Sequence, residues 1–100
     1  MGGNIQKMMK QAQQMQKDMM SAKKEIDEKD FELTKSFVTI KMKGNKKITE
    51  VIINNDSLEK DDIEMLQDLI TVVTNELIDM INKETEQKMG RYTQGMPGLF

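Results

Sequence analysis

Apolar residues recur along the first quarter of the chain at Ile5, Met8, Ala12, Met15, Met19, Ala22 and Ile26, in alternating steps of three and four. That rhythm is the seam of a helix seeking a partner for one face. Gln, Lys, Met and Ala, all strong helix formers, fill the positions between, and neither Pro nor Gly interrupts after Gly3. The pattern predicts a helical arm over 1–30, ending where the seam falls on Lys29 within the acidic cluster Asp27–Asp30.

From Phe31 the period shortens to two. Val38, Ile40 and Met42 alternate with Phe37, Thr39, Lys41 and Lys43, as in a strand with one buried face. Gly44-Asn45 supplies a turn, and the β-branched run from Lys47 to Ile53 returns as a second strand. Phe31–Thr34 either adds a short third strand or extends the first, so 31–54 is a hairpin or a three-stranded meander. After the polar break Asn54–Ser57, the acids Asp61, Asp62 and Glu64 suit the positive start of another helix. Its seam runs Ile63, Leu66, Ile70, Val73, Leu77, Met80, and the helix is expected over 61–89. Three Gly and the only Pro fall in 90–100, which is expected to be a flexible tail.

The expected fold is α+β in a single domain spanning 1–100. Two helices of about 25 residues would each be about 35–40 Å long, against a radius of gyration near 13 Å for a compact chain of this size. They must overhang. An overhanging apolar seam needs cover, which points to a homodimer, with the helix at the contact left undecided.

Composition narrows the function. Without Cys or His there are no disulfides, no thiol nucleophile and no imidazole base or ligand. Ser21, Ser36 and Ser57 have no base to activate them. No enzyme activity, catalytic residue, cofactor or small-molecule substrate is expected. Asp61, Asp62 and Glu64 read as helix-terminal acids, so no metal is expected either. Lacking a long apolar run or an export signal, the chain is expected to be soluble and cytoplasmic.

The net charge of −2 hides a segregation. Residues 1–24 carry +4, residues 25–34 carry −4, residues 35–47 carry +5 and residues 48–100 carry −7. On a helical wheel the first block sets Lys7, Lys10, Gln14, Lys17, Ser21 and Lys24 along the edge away from the seam, a row of donors suited to phosphates. A solvated face opposite a buried one often looks the same. Lys41, Lys43, Lys46 and Lys47 make a second basic group around the hairpin, where edge lysines also serve to block aggregation. Lysine contacts to phosphate predict affinity with weak sequence preference, since no Arg precedes Arg91 and bidentate guanine contacts favour Arg.

Four ordered segments carry a resemblance. Gly3-Asn4 through Lys10-Gln11-Ala12-Gln13-Gln14-Met15-Gln16, the strand and turn Val38–Gly44, Ser57-Leu58 with Asp61-Asp62 through Glu64–Leu69, and the ending Gly95-Met96-Pro97-Gly98-Leu99-Phe100 resemble the YbaB/EbfC family of nucleoid-associated proteins. The resemblance implies a tweezer-like homodimer with projecting helices that binds double-stranded DNA and alters its conformation, in the nucleoid, without enzyme activity. Lys10 and Gln14 lie inside the matching signature. Lys7, Lys17 and Lys24 rest on the wheel. Two departures stand out: Thr34–Phe37 has no Gly where the family commonly has a Gly-rich turn, and Asn54–Asp56 replaces the Pro often found after the second strand.

Two further readings compete. In one, the seams and the eleven methionines dock another protein, making a dimeric adaptor without direct DNA binding. In the other, the first helix lies on a membrane surface, but its apolar side lacks Trp and Phe, so no membrane partner is expected.

Overall fold

The element order is α1 (Gly2–Glu28), β1 (Asp30–Lys35), β2 (Val38–Lys43), β3 (Ile48–Ile53) and α2 (Lys60–Thr93). It is taken from a computed structural model that describes residues 2–93. The strands form one antiparallel sheet in the order β1-β2-β3, so the segment between the helices is a meander. Phe31 pairs with Met42 and Leu33 with Ile40, which puts the apolar side chains of β1 on the face that β2 buries. Two such residues in six were too few to mark β1 as a strand of its own.

Ser36 turns the chain between β1 and β2 at φ 53°, a left-handed conformation that a Gly would adopt without steric cost. Ser36→Gly is therefore expected to stabilise the protein by up to about 1 kcal/mol. A thermal melt would show this as a rise of about 4–8 °C per kcal/mol.

Helix α2 lies across β1 and β2. Val73, Leu77 and Ile81 are fully buried against Phe31, Val38, Ile40 and Met42, with Leu66, Leu69, Ile70 and Ile78 packed around them. The seam reads differently at its ends, because Ile63 and Met80 are exposed and Ile81 takes the inward position. At its start the Glu59 N–H donates to the Asp62 carboxylate at 3.0 Å, while Asp61 and Asp62 occupy the first turn. These acids cap the helix, as their positions suggest.

The helix also runs past its expected end at 89. Gly90 to Thr93 are helical, although a Gly inside a helix costs about 1 kcal/mol. Packing outweighs that cost: Met89 is fully buried and Tyr92 half-buried where α2 meets α1. The rest of the expected tail, 94–100, lies outside the described residues.

Helices α1 and α2, with 27 and 34 residues, stretch the molecule to 75 Å with a radius of gyration of 20.1 Å. The overhang is therefore real. The end of α1 runs antiparallel to the end of α2, with Lys29 Nζ 2.7 Å from Glu84 and Lys88 paired with Glu25. Ile26 is fully buried there, but cover fades toward the N-terminus: Met19 and Ala22 are half-buried, and Ile5, Met8 and Met15 are 57–66% exposed.

The turn between β2 and β3 holds the base of the arm. Gly44 N donates to Lys29 O at 2.9 Å, Asn45 N to Asp27 O at 3.3 Å, and Lys43 Nζ to Glu28 O at 3.3 Å. These bonds satisfy carbonyls that a helix end leaves open. The approach is so close that a Cβ on Gly44 would stand 1.7 Å from the Ile26 carbonyl oxygen.

Candidate nucleic-acid interface

Lys10, Lys17 and Lys24 recur every seven residues on α1, about 10.5 Å apart, and drift only about 20° per step around the helix. All three are exposed and face away from Met15, Met19, Ala22 and Ile26, the side that turns toward α2. Lys7 continues the row toward the tip. None of the four has an acidic partner among the described residues. Gln14 differs, because its Nε2 donates to Asp18 Oδ1 at 2.9 Å.

The hairpin lysines divide into two kinds. Lys41 stands 3.4 Å from Glu50 and 3.9 Å from Glu32, and Lys43 stands 2.6 Å from Asp30. Their charge is balanced by carboxylates on neighbouring strands, a ladder that sequence spacing could not display. Lys46 and Lys47, on the turn, are exposed and have no acidic partner among the described residues. Lys46 holds φ 69°, and Lys47 N donates to Asn45 Oδ1 at 3.0 Å. Because Asn45 N donates to Asp27 O, the turn that carries these two charges sits at the foot of α1.

Elsewhere lysines act as fasteners: Lys23 to Asp27 at 2.7 Å, Lys35 to Glu76 at 2.6 Å, and Lys29 and Lys88 across the helices. Among the described residues the cations without an acidic partner are thus the row along one edge of the arm, the pair at the turn by its base, and Lys60, Lys83 and Arg91 on α2. Exposed cations without counter-charges can approach a polyanion without first breaking an ion pair. Arg91, within the stretch expected to be a tail, is instead helical. It sits in the last turn of α2 beside the arm, with its guanidinium 4.6 Å from the Tyr92 ring centre.

The profile of the YbaB/EbfC DNA-binding family matches residues 1–96. The chain belongs to that family. This YbaB/EbfC chain is 44% identical over 99 residues to a nucleoid-associated protein of Enterococcus faecalis, covering 97% of the chain and 95% of that relative. It is 46% identical over 104 residues to a nucleoid-associated protein of Oceanobacillus iheyensis, with both covered completely. A third, from Clostridium novyi, is 42% identical over 106 residues, covering 100% of the chain and 93% of the relative. The family is described by DNA binding rather than by a reaction. Among the described residues no helix is long and apolar enough to cross a membrane.

Proposed function

We propose that the protein is a nucleoid-associated DNA-binding protein that grips duplex DNA through lysine–phosphate contacts along α1 and alters the path or organisation of the duplex. The observation that carries this reading is the row Lys7, Lys10, Lys17 and Lys24, exposed and without an acidic partner among the described residues, in a chain of net charge −2. Lys46 and Lys47 extend the row at its base; Lys41 and Lys43, tied to carboxylates, contribute less. Membership in a DNA-binding family, and relatives named nucleoid-associated proteins, support the same partner.

A homodimer completes the reading. Strand β3 is an edge of the sheet, and Ile48, Val51, Ile52 and Ile53 are 37–49% exposed because α2 covers only β1 and β2. A second copy over β3 would cover that edge and leave both arms free. Sedimentation should give about 23 kDa, twice the 11.6 kDa chain.

Phosphate gripping sets a measurable slope. Four to eight lysines engaged per dimer give a fall of log affinity with log salt of about −4 to −7, at about −0.9 per neutralised phosphate. Fluorescence titration of a labelled duplex at several salt concentrations reads it. A flat response, or no binding at low salt, would remove the lysine row from the function. In that case the exposed methionines Met8, Met9, Met15 and Met20 favour the protein-docking adaptor, testable by capture of a single protein partner.

A further inference from the structure

Where α1 passes the end of α2, Gln11, Gln14, Met15, Asp18, Arg91 and Tyr92 line an open recess of about 230 Å³. Two of these residues are singular in the sequence. Arg91 is the chain's one arginine, and Asp18 is the one acid among the first 24 residues. The fold brings them together from opposite ends of the chain. Arg91 has no carboxylate within ion-pair distance among the described residues, and its guanidinium rests near the Tyr92 ring at 4.6 Å. Stacking of this kind holds the planar fork while leaving its N–H donors free. Asp18 accepts one bond from Gln14 at 2.9 Å and has acceptor capacity left on its second oxygen.

A recess holding a free guanidinium beside a carboxylate is poorly matched to phosphate, which the carboxylate repels. It is well matched to the edge of a base pair, which presents acceptors and donors side by side. We infer that this recess reads a G·C pair in the major groove, with Arg91 donating to guanine O6 and N7 and Asp18 accepting from cytosine N4. Gln11 and Gln14 offer amide groups to neighbouring bases. The geometry suits a helix in the groove, about 12 Å wide, because the recess lies about a quarter turn around α1 from Lys10 and Lys17. One flank of the arm meets backbone while the other meets base edges. The lysines then supply most of the affinity, and the recess adds a modest preference. This inference rests on the DNA-binding reading given above.

Selection from a randomised duplex pool, followed by titration of the enriched duplex and of the same duplex with its G·C pair changed to A·T, tests the assignment. The wild-type protein should prefer the first by about five- to a hundredfold, the range one bidentate base contact supports. Arg91→Lys keeps the charge but not the fork. It should reduce that preference to less than about twofold while leaving the salt slope and the affinity for the A·T duplex within about threefold. Asp18→Asn, which removes only the negative charge, should also blunt the preference. Unchanged circular dichroism would show that both variants are folded. Equal loss on both duplexes would make Arg91 a phosphate contact and overturn the inference, as would a preference that survives both substitutions. Binding without any preference in the wild type overturns this inference alone, whereas no DNA binding at low salt overturns the proposed function with it.

Discussion

Replacing Lys10, Lys17 and Lys24 together by glutamine is expected to lower the affinity for duplex DNA by about three to five decades at about 0.1 M salt. The homodimer loses three lysines from each arm; at about 0.9 decade per neutralised phosphate for a tenfold change in salt, three to six lost contacts account for about 2.7 to 5.4 decades between about 0.1 M and the 1 M reference. The salt slope should become shallower by about 2.7 to 5.4 for the same reason. Stability should not move by more than about 0.5 kcal/mol, because the three side chains are exposed and pair with no acid among the described residues. Glutamine also keeps the helix propensity. Fluorescence anisotropy with a labelled duplex reads the affinity. A loss below threefold in a folded protein would mean that the arm does not hold the backbone.

Gly44→Ala is expected to be the most damaging single change for the fold. A methyl 1.7 Å from the Ile26 carbonyl oxygen meets backbone on both sides, so no rotamer change relieves it. Either the end of α1 is pushed away or the turn shifts, and the bonds Gly44 N to Lys29 O and Asn45 N to Asp27 O go with it. Overpacking of about 1–3 kcal/mol, plus about 1 kcal/mol for a lost hydrogen bond, gives a loss of about 2–4 kcal/mol. For a domain whose total stability is about 5–15 kcal/mol that is a large share. Thermal unfolding followed by circular dichroism should show a fall of at least about 10 °C. A melting temperature within about 2 °C of wild type would mean that the contact between turn and arm does not contribute to stability.

The helices and the buried face of β2 were legible because periodicity records which side of an element is covered. Val38, Ile40 and Met42 alternate in sequence and are all buried. The heptad row on α1 was equally legible, but it records only a preference for cover. Ile5, Met8 and Met15 lie in the same seam as Ile26, yet the end of α2 comes no further along the arm than the open recess at Gln11–Asp18 and leaves them exposed. The reach of α2 is a tertiary fact that a one-dimensional pattern does not contain. Strand β1 was ambiguous because its turn uses Ser36 in a left-handed conformation instead of a Gly, removing the usual punctuation.

The candidate site shows the same division. The lysine row could be read from spacing, whereas the neutralisation of Lys41 by Glu32 and Glu50 depends on strand pairing. Arg91 was hidden for another reason. Gly90 beside it looks like the end of a helix, and only packing against α1 shows that α2 continues.

Anchoring α1 at one end makes it a lever. The arm measures about 31 Å from Ile26 to Ile5, so a tilt of about 10° at the foot, which must part or carry along the end of α2 beside Gln11–Asp18, sweeps the tip through about 5 Å, close to the rise of a full helical turn. A subtle shift of the hairpin loop is thereby magnified at the far lysine. How far the arm swings then depends on the few atoms around Gly44, in the same turn that carries Lys46 and Lys47.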